Sequence, residues 1–351
     1  MALTDFDPAP IRAVAPTFLA VVRPTSHELA EERLTAALRD PALAARSASF
    51  DEVTAHLRRF GGVVVLAEDA LAAAPLLARM RSTPEGVLLP VLVWVHKTGE
   101  QRLLDPEWLA YADAAIDNRS AQPEIVAGLE RLRRIAAVRQ AFPPLCDQAS
   151  PSVRRRLALL QYLASRELSR LDPRRAACRP LGHSFAPLDL LGGEGPIADL
   201  DALAATGHLR TTFFERVHVC SICGDARLAF REVCAGCRSA DLRHGEVLHH
   251  YACGHVAPEE RFRRAGTLAC PSCGAALRHV GIDHERPVAL VYCNACGLAG
   301  GEGITLARCL ACAASFSAGE VESRVLASYQ LTPDGLAAAR QGSIVLAPGL
   351  P

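Results

Sequence analysis

Cys220-Ser221-Ile222-Cys223-Gly224, Cys234-Ala235-Gly236-Cys237, His250-Tyr251-Ala252-Cys253-Gly254, Cys270-Pro271-Ser272-Cys273-Gly274, Cys293-Asn294-Ala295-Cys296-Gly297 and Cys309-Leu310-Ala311-Cys312 decide the architecture of the C-terminal region. Eleven cysteines and His250 repeat one spacing, ligand-x-x-ligand. Two ligands three residues apart can hold one metal ion from a tight turn, and a glycine after the second ligand permits a positive φ there. Tetrahedral S/N sites with this spacing suit structural zinc. Twelve ligands fill three four-ligand sites. Pairing in sequence order uses the least chain. It gives Cys220, Cys223, Cys234 and Cys237; then His250, Cys253, Cys270 and Cys273; then Cys293, Cys296, Cys309 and Cys312. Interleaved pairing stays open. His255 is the alternative to His250 in the second site, and the histidine that does not bind would support a thiolate through a hydrogen bond. The metal expected is Zn2+, about three per chain, with iron as the less favoured option.

Composition bounds the rest. The chain has 351 residues, half of them hydrophobic, with 38 basic and 38 acidic side chains. Balanced charge gives no general attraction to nucleic acid or anionic membrane. No apolar run is long enough for a membrane span, and no secretory signal opens the chain. A cytoplasmic protein with reduced thiols is expected, which disfavours a disulfide framework. Cys146 and Cys178 stand apart as ordinary cysteines. His218, His244, His279 and His284 read as surface or satisfied core residues.

Residues 1–16 are an irregular lead-in. An alternation of apolar strands and helices then runs over 17–141. Strands are expected at 17–22, 45–50, 62–66, 87–95 and 114–117. Helices are expected at 27–38, from Asp51 as N-cap to Arg59, and at 70–80, 106–111 and 123–139. This alternation predicts an α/β doubly wound, flavodoxin-like domain with a parallel sheet. The order resembles the response-regulator receiver domain. A receiver's acidic pair, phospho-accepting aspartate, hydroxyl and lysine are not matched: Val22-Arg23-Pro24, Leu66-Ala67-Glu68-Asp69, Trp94-Val95-His96 and Asp117-Asn118-Arg119 stand at those places. The resemblance therefore implies a degenerate pseudo-receiver used for docking or homodimerisation.

Residues 142–210 read as a helical linker region. It contains a helix over 151–171 ended by Asp172-Pro173, whose Arg154, Arg155 and Arg156 form a solvated basic face, and a short helix over 197–206. A strand over 209–219 feeds the first ligand pair. A strand and a capped helix close the mainly β, zinc-ribbon-rich module at 211–346.

That module resembles the thaumarchaeal output domain family over roughly residues 160–340. The resemblance is carried by His218-Val-Cys220-x-x-Cys223-Gly, Phe230-Arg-Glu-Val-Cys234-x-x-Cys237, His249-His250-Tyr-x-Cys253-Gly-His255-x-Ala-Pro-Glu259 and Cys270-Pro-x-Cys273. Leu277-Arg-His279-x-Gly-x-Asp283, Arg286-Pro287, Ala307-Arg-Cys309-x-x-Cys312 and Tyr329-x-Leu-Thr-x-x-Gly335 complete it. His284-Glu285 departs from an expected aromatic-acidic pair. The resemblance implies a metal-binding output module of prokaryotic signal transduction. The function expected is a non-catalytic output protein that engages a protein partner. Two alternatives are kept: a zinc-ribbon nucleic-acid-binding regulator, using Arg261, Arg263 and Arg264, and a thiol-based redox sensor.

Overall fold

The computed structural model describes residues 18–22, 45–47, 49–56, 60–68, 70–95, 110–168, 170–177, 179–191, 196–245, 247–264, 266–286, 290–300 and 302–344. The expected helix at 27–38, the lead-in at 1–16 and Cys178 lie outside them, as does most of 106–111. The chain divides into two compact units. One comprises 1–176, 183–215 and 326–351; the other comprises 177–182 and 216–325.

The first unit opens with strands β1 (Phe18–Val22) and β2 (Ala45–Ser47), helix α1 (Phe50–Ala55), β3 (Phe60–Ala67), α2 (Ala70–Arg81), α3 (Pro84–Leu88), β4 (Val91–Val95), β5 (Ala114–Asp117) and α4 (Gln122–Gln140). The five strands pair in parallel in the order β2-β1-β3-β4-β5. Every residue of β3 and β4 is buried, which explains their unbroken apolar runs. The pleat sends alternate side chains to opposite cores. Val63, Val65 and Ala67 pack with Ala73, Leu77 and Met80 of α2. Val64, Leu66, Leu92 and Trp94 pack with Ile125, Leu129 and Leu132 of α4. Each such large side chain contributes about 2 kcal/mol on burial.

Two local expectations need correction. The cap of α1 is Ser49, not Asp51: its hydroxyl accepts the Glu52 amide at 3.1 Å. The apolar run 87–95 is not one strand. Thr83 caps α3 by accepting the Gly86 amide, and only Val91–Val95 is extended. A Cβ at Gly86 would lie 1.8 Å from the Met80 carbonyl oxygen, so this corner needs glycine. Buried helix and buried strand share the same apolar pattern, which is why periodicity misread it. Asp117 lies in a turn, accepting the Arg119 and Ser120 amides at 2.8 Å each.

The unit continues with α5 (Pro151–Ser165), the paired two-residue strands β6 (Arg174–Arg175) and β7 (His183–Ser184), α6 (Ile197–Ala205) and the long β8 (Leu209–Val219). Helix α5 stops before the expected 171. Glu167 takes φ 51° and the Leu168 amide returns to the Leu163 carbonyl, a helix-ending geometry that a pattern of residue types does not show. The arginine cluster on α5 is not a solvated face. Arg155 and Arg156 both bond the buried Asp199 of α6, at 2.7 and 3.0 Å, and Arg154 pairs with Glu85 of α3. The chain returns to this unit through β21 (Glu322–Leu331), paired with β8, and ends in α8 (Pro333–Gln341). Leu157, Leu160, Leu163, Leu203, Tyr329 and Ala339 build one core from α5, α6, β21 and α8. The 142–210 segment and the closing helix therefore share a packed core.

The second unit is made of short antiparallel strands: β9 (Leu228–Val233), β10 (Leu242–Gly245), β11 (Val247–His250), β12 (Val256–Pro258), β13 (Arg263–Arg264), β14 (Thr267–Ala269), β15 (Ala276–Leu277), β16 (His284–Glu285), β17 (Leu290–Cys293), β18 (Ala299–Gly300), β19 (Ile304–Cys309) and β20 (Ser315–Ser317). A single helical turn, α7 (Glu259–Phe262), follows β12. The pairing is nested. β9 pairs with β19, β10 with β17, and β11 with β16, so the chain runs outward and returns alongside itself. The apolar cluster in this unit is small: Leu248, Ala257, Phe262, Cys270 and Leu277.

Candidate metal centres

All six ligand pairs adopt one local form. The amide of the first ligand donates to the carbonyl five residues on: Cys220 to Asp225, Cys234 to Ser239, His250 to His255, Cys270 to Ala275, Cys293 to Leu298 and Cys309 to Ala314, at 2.8–3.0 Å. The residue after the second ligand has positive φ in every pair. Gly224, Gly254, Gly274 and Gly297 take φ 68–77°, and Arg238 and Ala313 take 60° and 61°. The two pairs that lack a glycine are forced into the same turn at a steric cost. Some amides point at sulfur: Ile222 at Cys220 Sγ (3.4 Å) and Gly236 at Cys234 Sγ (3.3 Å). In each pair the first ligand is buried and the second exposed.

The structure brings the twelve residues into three groups, in each of which four ligand atoms lie within 4.8 Å of one another. His250, Cys253, Cys270 and Cys273 form one group, as the spacing predicts. The other two correct sequential pairing. Cys220 and Cys223 meet Cys309 and Cys312, and Cys234 and Cys237 meet Cys293 and Cys296. The reason lies in the nested strands. Antiparallel β9–β19 sets Leu228 opposite Cys309, and β10–β17 sets Leu242 opposite Cys293, which carries each early pair to a late one. Loop closure opposes this only weakly, because its cost grows with the logarithm of length. Joining Cys223 to Cys309, 86 residues apart, instead of to Cys234, eleven residues on, is about three doublings, roughly 2 kcal/mol.

The distances fit a tetrahedral ion. Sulfur–sulfur separations are 3.7 Å (Cys220–Cys312), 3.6 Å (Cys223–Cys309 and Cys234–Cys296) and 3.5 Å (Cys237–Cys293 and Cys253–Cys270). His250 Nδ1 lies 3.1 Å from Cys253 Sγ and 3.5 Å from Cys273 Sγ. A tetrahedron with metal–sulfur bonds of about 2.3 Å has edges of about 3.8 Å, whereas a disulfide needs about 2.05 Å. Every cysteine among the described residues is free of a disulfide. Within each group the thiols are shifted unequally. The amides of Cys237 and Cys312 lower Cys234 and Cys309 to about 7. Cys223 rises to about 12: the Asp225 amide lowers it, but burial and the neighbouring sulfurs outweigh that bond. Each group thus holds one lowered and one raised thiol: Cys309 with Cys223, Cys234 with Cys296, and Cys270 with Cys253. These residues would hold a divalent ion, which supplies a rigid cross-link.

The remaining sequence candidates separate clearly. His255 gives its carbonyl to the His250 amide, and its ring packs against Phe262 at 5.7 Å; it joins no ligand group. His249 Nδ1 lies 2.8 Å from Glu285, the acidic member of the His284-Glu285 pair. His244 pairs with Glu232 at 2.8 Å, His218 lies edge-on to Phe230, and the His279 amide donates to Asp283. His284 is buried opposite His250, and neither ring nitrogen has a hydrogen-bond partner among the described residues, so it is not the satisfied core histidine expected. Sequence reasoning missed Asp225. It is buried beside the first pair, where Arg227 donates to it from backbone and guanidinium and holds its carboxyl below the usual range.

The family model for thaumarchaeal output domain 1 matches residues 147–331, more than half of the chain and every ligand pair. The chain belongs to the thaumarchaeal output domain 1 family. The match begins before α5, so the output domain includes helical structure ahead of the metal-ligand pairs. No curated protein matches the chain. Among solved structures, it is similar to the chemotaxis response regulator CheY4 of Vibrio cholerae at 13% identity and a TM-score of 0.27, covering 33% of this chain and 98% of that one. It is also similar to the Francisella novicida lysine decarboxylase LdcF at 11% identity and a TM-score of 0.26, covering 58% of this chain and 30% of that one. No helix among the described residues is long and apolar enough to cross a membrane.

Proposed function

We propose that this output-domain protein is a non-catalytic signalling protein whose second unit is a scaffold cross-linked by three structural zinc ions. The observation that carries the reading is that each ligand group offers four protein donors at tetrahedral spacing. A catalytic zinc keeps an open position for water or substrate, and four protein donors leave none. The doubly wound N-terminal sheet serves as a pseudo-receiver, docking a partner or a second copy. Its strand order and the turn that occupies Asp117 support that role. Nucleic-acid binding is disfavoured by the pairing of the unit's arginines. Arg263 and Arg286 both pair with Glu259, Arg243 with Glu260 and Arg227 with Asp225, while Arg261 lies over the Tyr292 ring. Redox sensing has one observation in its favour, the exposed second cysteine of each pair. Native mass spectrometry of the full chain purified without chelators tests the proposal. Three zinc ions per chain, retained after mild peroxide, are expected. Fewer ions, iron, or zinc loss on oxidation would sink the structural reading.

A further inference from the structure

A second site lies in the first unit, away from every cysteine pair. A cavity of ≈ 550 Å³ opens between the start of β5 and the segment that follows α5. That volume is within the range of small-molecule sites. Its floor is small and apolar: Ala112, Ala114, Ala186 and Pro187. Its charged lining is Arg131, Arg166, Arg170 and Arg174 against Asp113 and Asp172.

The two aspartates neutralise only part of this charge. Asp113 is saturated from behind. Its Oδ1 accepts Arg166 Nε at 2.9 Å, and its Oδ2 accepts the Val91 amide at 2.8 Å and the guanidiniums of Arg81 and Arg166 at 3.2 Å each. Arg81 is fully buried, and its remaining donors go to the carbonyls of Gly86, Val87, Leu89 and Tyr111. One carboxylate thus serves two buried guanidiniums, leaving a cationic surplus behind the cavity wall. Asp172 is taken up by Arg170 at 2.7 Å. Arg131 and Arg174 make no ion pair among the described residues. Tyr162 completes the wall, with the Arg166 guanidinium 4.2 Å above its ring.

A cleft of one charge sign with low-dielectric walls concentrates counter-ions. Planar guanidiniums match phosphate oxygens in paired hydrogen bonds. We propose that this cleft binds a small organic phosphate, its phosphate held by Arg131 and Arg174 and its carbon skeleton resting on the alanine and proline floor. The site draws on α4 of the sheet layer and on the segment leading from α5. Its occupant would therefore tie these two parts of the unit together. The proposal is independent of the metal centres.

Isothermal titration of the full, metal-loaded chain with inorganic phosphate and with AMP tests it. Saturable binding of both is expected, tighter for AMP, which adds apolar contact, and weaker at high salt. The double variant R131Q/R174Q is expected to weaken both ligands by at least about tenfold, since it removes two charge-assisted contacts. The variant R134Q, on an exposed α4 position outside the cleft, is expected to bind as the parent does. Both arginines in the double variant are exposed, so an unchanged thermal melt of the ligand-free variant is also expected. The proposal fails if neither ligand saturates, if R131Q/R174Q binds as the parent does, or if succinate matches inorganic phosphate.

Discussion

The two units solve the stability problem differently. The first buries long apolar runs: β3 and β4 are buried throughout, and three clusters of Leu, Val, Ile and aromatic side chains join sheet and helices. The second has many strands of two to four residues and one small cluster around Phe262. It also leaves Ile222, Phe230, Ile282 and Leu310 exposed. Short strands with little apolar surface cannot offset the entropy of ordering their chain. On the proposed reading, ions held by the ligand groups make up that deficit in the second unit, and cross-links between distant strands stand in for a core.

The largest expected effect follows directly. Removing metal with a strong chelator should unfold 216–325 and leave the sheet unit intact, because structural zinc contributes about 10–16 kcal/mol in small domains. Hydrogen exchange read by mass spectrometry should show protection lost over β9–β19 and kept over β3 and β4. Equal loss in both units would break the comparison.

Next come single ligands. Cys309→Ser should expose the β9–β19 amides while the local His250 group stays protected, since that group closes its own short loop. His250→Ala should do the reverse, and His255→Ala should leave all three ions bound. Ion counts by native mass spectrometry check each variant. Loss of every ion from Cys309→Ser would mean that the groups assemble as one cooperative unit.

The first unit should answer to core and buried-charge changes that leave the metals untouched. Leu129→Ala should cost about 2–5 kcal/mol. Asp113→Ala, which strands Arg81 and Arg166 without a carboxylate, should cost about 3–5 kcal/mol. Denaturant titration of the sheet unit measures both. The same pair of guanidiniums holds the Asp113 carboxyl below its ordinary range, although burial by itself acts in the opposite direction. Its contribution is therefore present above the unfolded value of about 3.9 and is lost as pH falls through the folded value. Acid unfolding of this unit should accordingly move to higher pH in Asp113→Asn. The smallest expected effect is a gain: Ala313→Gly and Arg238→Gly relieve left-handed backbone and should each stabilise the second unit by about 1 kcal/mol.

Much of this was legible in residue types. The six ligand pairs, the choice of His250 over His255, and the strands at 114–117 and 209–219 followed from spacing and apolar pattern. Errors arose where one pattern serves two structures. Val87–Leu88 is apolar whether in helix or strand. Arg154–Arg156 looks solvated until Asp199 and Glu85 are seen opposite.

The sequence by itself determined the ligand chemistry, because two thiols or an imidazole and a thiol three residues apart are a local property of the chain. Only the tertiary structure decided which pairs lie together. Sequential and nested pairings differ by little in loop entropy, and the register of β9 on β19 and of β10 on β17 selects the nested one.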